Sequence, residues 1–488
     1  MKLPRVMIAA PKSGSGKTVL TCGLLDLFKE KGTDIASYKC GPDYIDPMFH
    51  RSVIGVPGSN LDTFFSSDEE IRNILASSEC EAAVLEGVMG IYDGIVGADG
   101  RGSCYDVASA TDTPIILVMD VKGMGQTMLS LIRGIILDDA DELIGGIVLN
   151  RISEHYYSVI EPEIAETLKK ISAARKRDVR LLGGIPDSKK IVLESRHLGL
   201  MMPDEIEGLR DMVRAAGELI EAHLDMDAVR EIMAGAGELP DQTLMDDVHT
   251  DGPVLAVARD EAFCFYYEEN LRLLRKMGVI IREFSPLRDS KIPEDADGLL
   301  LGGGYPELYA EKLSANQEMM DSIRSAIASG MPSLAECGGF MALMDELEDS
   351  AGRVFKMAGV ISGRTRNTGK LGRFGYVTVT GKNKGSDGKE NDGRHRKQEL
   401  NQSDHDDLLG GLSIRGHEFH YFDSTNNGED ATAVKPGSGR SWECIHSGAD
   451  HIWGYPHLYY PSCPELIERF TEVMKEYRAN REGGDRDE

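Results

Sequence analysis

Long apolar runs are missing. No stretch approaches the ~18 consecutive apolar residues of a membrane-spanning helix. The short run Val6–Ala10 is too brief for the apolar region of a secretory signal, and a glycine loop follows it at once. Cys-x-x-Cys pairs are also missing. The eight cysteines (Cys22, Cys40, Cys80, Cys104, Cys264, Cys337, Cys444 and Cys463) are scattered, which argues against a disulfide framework and for reduced thiols in a cytoplasm. Positive charge is scarce: Lys and Arg number 54 against 81 Asp and Glu, a formal net charge of −27. Nucleic acids and anionic membranes are polyanions, so neither is an expected partner. An anionic small molecule stays open, because it needs only a local basic pocket.

What is present is an ordinary globular balance, 41% hydrophobic and 28% charged over 488 residues, enough chain for two large domains. Residues 1–235 alternate β-branched runs (Val6–Ala10, Ala82–Glu86, Pro114–Asp120, Ile144–Asn150) with helical patterns, which predicts a parallel α/β sheet. Residues 236–252 hold turn formers and acids and read as a linker. The rhythm restarts at 253 and runs to 488, with strands expected at Val254–Ala258, Val279–Phe284 and Gly298–Leu301 and a helix at Tyr266–Met277. Residues 381–407 contain no large apolar residue except Leu400 and read as a solvated, disordered insertion with a basic cluster, Arg394–Lys397.

Residues 10–18, Ala-Pro-Lys-Ser-Gly-Ser-Gly-Lys-Thr, follow a strand and precede a helical pattern. They match the end of a phosphate-binding loop, with Pro11 where its first glycine usually stands. Gly14 and Gly16 let backbone N–H groups turn toward phosphate oxygens, and the helix start adds positive potential. Lys17 reaches terminal phosphates and the Thr18 hydroxyl suits Mg²⁺. Lys12 has the spacing of the signature lysine of deviant P-loop ATPases. Glu86 ends a strand, where a carboxylate holds Mg²⁺ or its waters, and Asp93 lies just beyond it. Asp43 and Asp46 are expected on a Pro-punctuated loop at another strand's carboxyl end. Asn150 is either a purine contact or a strand-end turn residue.

In the second half, Pro332–Met344 reads as strand, tight turn and helix, with Cys337 at the turn. This is the pattern of a nucleophile elbow, and a helix start there is expected to lower the thiol pKa. Upstream, Gly302–Gly304 follows a strand and could supply oxyanion N–H groups from Gly303 and Gly304. His457 is the best candidate base. His417 and His420 would need a third ligand to hold zinc, and none is obvious.

Together the segments 10–18, 39–50, 60–65, 85–94, 146–153, 194–200, 301–308, 335–343, 373–377 and 415–421 resemble the cobyrinic acid a,c-diamide synthases, glutamine-dependent amidotransferases of cobalamin biosynthesis. The resemblance covers nearly the whole chain. It implies an α/β N-terminal P-loop domain resembling dethiobiotin synthetase and a C-terminal class I glutaminase domain, flavodoxin-like in fold. It implies Cys337 as nucleophile and His457 as its base. It sets Asp43, Asp46, Glu86 and Asp93 around ATP, Mg²⁺ and the substrate carboxylate, with Tyr44 and Ile45 selecting which carboxylate reacts. The chain departs from many class I glutaminases in one respect: His457 is followed by Leu458 and Tyr459, so the His-x-Glu carboxylate is missing. The cobyrinic and cobyric acid branch shares that lack.

The implied chemistry is ATP-driven activation of a carboxylate as an acyl-phosphate, at c and then a. It is coupled to ammonia released from L-glutamine. Cobyrinate or a related tetrapyrrole polycarboxylate is the expected substrate, and a homodimer is the assembly considered. Arg101, Arg366, Lys370 and Arg373 are candidate contacts to the substrate's acids. The rival readings are nickel-sirohydrochlorin a,c-diamide synthesis for coenzyme F430, and a ParA-like P-loop switch with a degenerate glutaminase half.

Overall fold

The computed structural model describes residues 1–96, 101–188, 191, 195–196, 199–200, 208–241, 250–383 and 407–484. Residues 384–406, with the basic cluster and most of the 381–407 insertion, lie outside the described residues, as do 242–249 of the linker segment. The chain divides into two compact units, Met1–Leu244 and Met245–Glu488.

The first unit is built on seven strands: β1 (Arg5–Ala9), β2 (Ile35–Cys40), β3 (Gly58–Leu61), β4 (Ala82–Glu86), β5 (Ile115–Asp120), β6 (Ile144–Asn150) and β7 (Arg180–Ile185). They pair in the order β3-β2-β4-β1-β5-β6-β7, every pair parallel. Helices cover both faces of such a sheet, so its strands read as continuous apolar runs, and all five residues of β1 and of β4 are buried. The order reverses around β1. Ligands of open α/β sheets bind at the carboxyl ends of strands at such a reversal. There β1 runs into the residue 10–16 loop and helix α1 (Lys17–Glu30), and β4 ends on Glu86.

The second unit has a central sheet of β8 (Val254–Ala258), β9 (Ile280–Phe284), β10 (Gly298–Leu301), β11 (Ser333–Glu336) and, late in the chain, β16 (His446–Ser447) and β17 (His451–Gly454). The order is β9-β8-β10-β11-β17-β16, parallel except for the last pair. Its first five strands follow the flavodoxin-like order 2-1-3-4-5. A second, antiparallel sheet pairs β15 (Ser441–Cys444), β14 (Ala431–Val434), β12 (Arg373–Gly381), β13 (Ser413–His420) and β18 (His457–Leu458), in that order.

One buried charge stitches the first unit together. Arg5 on β1 is fully buried. It donates to the Leu3 carbonyl at 2.9 Å, to Thr113 Oγ1 at 2.9 Å, to the Gly237 carbonyl at 3.0 Å and to the Thr111 carbonyl. Burial lowers its pKa to about 10, still high enough to keep the charge at neutral pH. Methionine fills similar space but donates nothing, leaving several buried acceptors without partners. Arg5→Met is expected to destabilise the first unit by about 3 kcal/mol, seen as a lower urea midpoint with an unchanged transition for the second unit.

Candidate functional site

Chemistry-bearing residues gather at two places, one in each unit. In the first, Gly14 and Gly16 take φ of 73° and 99°, which L side chains avoid. Gly16 is also crowded: a Cβ there would sit 2.2 Å from Asn150 Nδ2. That nitrogen donates to the Ser15 carbonyl at 2.8 Å, and Asn150 Oδ1 accepts the Arg151 N–H at 3.0 Å. Asn150 therefore braces the loop, and it lines a small pocket beside it with Val19, Val118, Ile185 and Ile191. Lys12 is exposed, and its carbonyl accepts Ser15 Oγ at 3.0 Å. Lys17 Nζ donates to the carbonyl of Met89, a residue at φ 51°, at 2.6 Å. Burial lowers the Lys17 pKa, with Glu86 pulling the other way.

Glu86 is fully buried and accepts Thr18 Oγ1 at 2.6 Å. Between it and Asp46 sits Lys39, the last residue but one of β2. Lys39 Nζ lies 2.8 Å from Glu86, 2.5 Å from Asp46 and 4.0 Å from Asp43. Burial opposes the lysine's charge, but Asp46, Glu86 and Asp43 together outweigh it and hold its pKa well above the ordinary value. Burial and then the Asp46 charge push the Asp43 carboxyl up. Asp46 lies on a short helix, Ile45–Phe49, not on the loop expected for it. Asp43 Oδ1 accepts the N–H groups of Ile45 and Asp46 at 2.9 and 3.2 Å, and Pro47 falls in the first turn, where its missing N–H costs nothing. Tyr44 and Ile45 are buried. Asp93 is exposed and accepts the Gly90 N–H at 2.8 Å.

Glu86 Oε2 is buried with no hydrogen-bond partner among the described residues. An orphaned carboxylate oxygen beside a threonine hydroxyl at the start of α1 is a donor set that fits Mg²⁺.

In the second unit, Cys337 stands between β11 and a short helix, Gly338–Leu343, at φ 47° and ψ −103°. That conformation is strained for a residue with a Cβ, costing about 1–3 kcal/mol. The Cys337 N–H donates to the Gly454 carbonyl at 2.8 Å. The Gly302–Gly304 turn packs against both neighbours. A Cβ on Gly303 would lie 2.3 Å from His457 Cε1, and one on Gly338 would lie 3.1 Å from the Gly304 nitrogen. The structure thus packs the His457 ring against Gly303 and the turn that carries Cys337 against Gly304.

The expected lowering of the thiol pKa is overturned. The Gly338 N–H does pull the Cys337 thiol down, but burial and the Glu307 charge outweigh it and push it well up. The first cause is tertiary, whereas the helix is six residues long and weak. Burial, then His417 and His420, hold His457 well below its ordinary value. The pair therefore rests as thiol and neutral imidazole, the form in which His457 can accept a proton.

Sequence reasoning missed how His457 is held. Its ring stacks on His417 with centroids 4.9 Å apart and planes at 15°. His417 Nδ1 meets the Tyr267 hydroxyl at 2.9 Å, and burial lowers its pKa to about 3. His420 Nε2 is bonded to Glu418 at 2.8 Å. Among the described residues no group of His, Cys, Asp and Glu is arranged to hold a metal by itself. Lys39 was also missed, although Asp43 at i+4 was a usable signal. The candidate acid contacts are dispersed. Arg101 lies in the first unit near Asp68, at 3.7 Å. Arg366 and Lys370 are exposed in the second unit, and Arg373 sits over the Trp442 ring at 5.5 Å. Among the described residues no helix is long and apolar enough to cross a membrane.

Residues 6–200 match the CobQ/CobB/MinD/ParA nucleotide binding domain, and residues 254–460 match the CobB/CobQ-like glutamine amidotransferase domain. The chain is thus a glutamine amidotransferase joined to a nucleotide-binding P-loop domain. It is 36% identical over 474 residues to the cobyrinate a,c-diamide synthase of Thermoplasma acidophilum, covering 96% of this chain and 99% of that one. Identity is 32% over 486 residues to the synthase of Priestia megaterium, 98% of each chain. For the Clostridium acetobutylicum synthase it is 35% over 463 residues, 93% of this chain and 97% of that one. The chain belongs to the cobyrinate a,c-diamide synthase family.

Two outcomes follow from the glutaminase geometry. Gly303→Ala drives a methyl into the His457 ring and is expected to cut glutamine hydrolysis about 100-fold while leaving the circular dichroism spectrum unchanged. Alkylation of Cys337 by iodoacetamide, followed on its peptide by mass spectrometry, is expected to be more than about tenfold slower than that of free cysteine at neutral pH. Its rate should climb as the solution is made alkaline, with no acidic limb.

Proposed function

We propose that the chain uses ATP, Mg²⁺ and L-glutamine to convert the c and then the a side-chain carboxylate of cobyrinate into amides. One observation carries the reading. A phosphate loop with the Thr18–Glu86 pair, and a strained Cys337 turn and a neutral His457 packed against the same glycine turn, lie in a chain whose named relatives are cobyrinate a,c-diamide synthases.

A carboxylate is a poor electrophile, so the first unit must supply a leaving group. The loop N–H groups and Lys17 bind the nucleotide's phosphates and orient the terminal one. A substrate carboxylate oxygen attacks that phosphorus, ADP departs, and an acyl-phosphate remains. Thr18 and Glu86, with Asp43 beside them, would hold Mg²⁺. When bound, the ion neutralises charge on the transferring phosphoryl group. Lys39 fixes Glu86 and Asp46 in place, with Asp93 at the edge of the same region. The c-before-a order rests on the resemblance, in which Tyr44 and Ile45 distinguish the two acids; because both are buried, they act by shaping the Asp43–Asp46 turn.

In the second unit His457 takes the proton of the Cys337 thiol as sulfur attacks the side-chain amide carbon of glutamine. Gly303 and Gly304 face the oxyanion that forms. The C–N bond breaks, His457 returns the proton to the departing nitrogen, and ammonia leaves. Water then cleaves the thioester to glutamate. Ammonia attacks the acyl-phosphate carbon and phosphate departs.

The test is incubation with cobyrinate, ATP, Mg²⁺ and glutamine, with products counted by mass and nickel-sirohydrochlorin run in parallel. Cys337→Ala is expected to abolish glutamine-driven amidation yet keep ammonia-driven amidation, whereas Lys17→Ala loses both. Equal loss of both activities in Cys337→Ala would contradict the two-site scheme. ATP-dependent dimers without any thioester would point instead to a P-loop switch.

A further inference from the structure

No acidic residue stands two places after His457, yet the strand carrying it is clamped at successive backbone positions. Asn270 Nδ2 donates to the Leu458 carbonyl at 2.8 Å, and Asn270 Oδ1 accepts the Tyr460 N–H at 2.9 Å. The Tyr459 N–H donates to the Arg415 carbonyl at 2.8 Å. Glu336 Oε1 accepts the Tyr460 hydroxyl at 2.9 Å.

Glu336 is the residue before Cys337, and Tyr460 is the third residue after His457. The nucleophile's turn and the segment that carries the base are thus joined through a single buried carboxyl and the Tyr460 hydroxyl. Its surroundings are apolar, a small cavity lined by Leu334, Ile445, Ile452, Leu458 and Leu466. We propose that Glu336 is a positioning residue for glutamine cleavage, tying the nucleophile's turn to the strand that presents the base.

This rests on the assignment of Cys337 and His457 above. Burial raises the Glu336 pKa to about 8, against the pull of the Tyr460 hydroxyl. Near neutral pH the group is largely protonated, so it acts as a hydrogen-bonding strut. It does not supply the negative charge of a triad acid, and glutamine is therefore its close mimic.

The experiment measures glutamate release and ammonia-driven amidation by the full chain. Glu336→Ala is expected to lower kcat for glutamate release about 10–100-fold, with KM for glutamine and the ammonia-driven rate unchanged. Glu336→Gln should restore most of that kcat. Tyr460→Phe, which removes the bond and keeps the carboxyl, should lower kcat by about tenfold at constant KM. A wild-type kcat in Glu336→Ala overturns the inference. So does a fall in both activities together, which would mark a merely structural residue. If Glu336→Ala does not fold, Tyr460→Phe decides: reduced kcat at constant KM supports the strut, and an unchanged kcat overturns it. Cys337→Ala is run alongside. If it still releases glutamate, the nucleophile assignment itself fails; if it is inactive while the Glu336 variants match wild type, only the strut fails.

Discussion

Parallel pairing sends the carboxyl ends of neighbouring strands to one edge of a sheet, and both units draw their chemistry from that edge. In the first unit the edge collects the loop after β1, Lys39 on β2, Glu86 on β4 and Asn150 on β6. In the second it collects the glycine turn after β10 and Cys337 after β11. Strand ends about 5 Å apart let residues distant in sequence share a hydrogen bond, and the edge is where a buried sheet meets solvent and ligand.

The two sites handle charge in opposite ways. The first gathers charge out of water: three carboxylates around Lys39, with Lys17 close by. Such a cluster is stable only while each member keeps its partner, since an uncompensated buried charge costs about 3–5 kcal/mol. That cost fixes the geometry of Glu86 and Asp46 more firmly than flexible surface side chains could. The second keeps its candidate reacting groups neutral. Cys337 is held as a thiol, His457 as a neutral ring, and Glu336 largely as a neutral acid. In the proposed mechanism, stacking and backbone hydrogen bonds there do the orienting that a carboxylate does in a Cys-His-acid triad.

Much of this was legible in the sequence because the signals are local. Ala82–Glu86 and Ile144–Asn150 were found to the residue, since strands buried on both faces read as apolar runs ending in polar residues. The phosphate loop and the elbow carry their own glycines. What stayed hidden depends on partners far along the chain. Glu336 meets Tyr460 across 124 residues, and Asn150 braces Ser15 across 135. Asp46 falls in a Pro-punctuated stretch that reads as a loop, whereas Pro47 occupies the first turn of a helix, a place that suits proline. The thiol's direction was misread for a similar reason: the helix start is visible in sequence, whereas the depth of packing around Cys337 is not.

That packing has a bearing on survival as well as catalysis. Peroxide attacks thiolates far faster than thiols and needs access to sulfur. A cysteine that is both protonated and enclosed, and loses its proton only to a histidine already in place, offers oxidants little to react with between turnovers. If Cys337 acts as proposed, its nucleophilicity is expressed in the presence of a carbonyl substrate, and the burial that makes a base indispensable also guards the resting thiol against sulfenic acid formation.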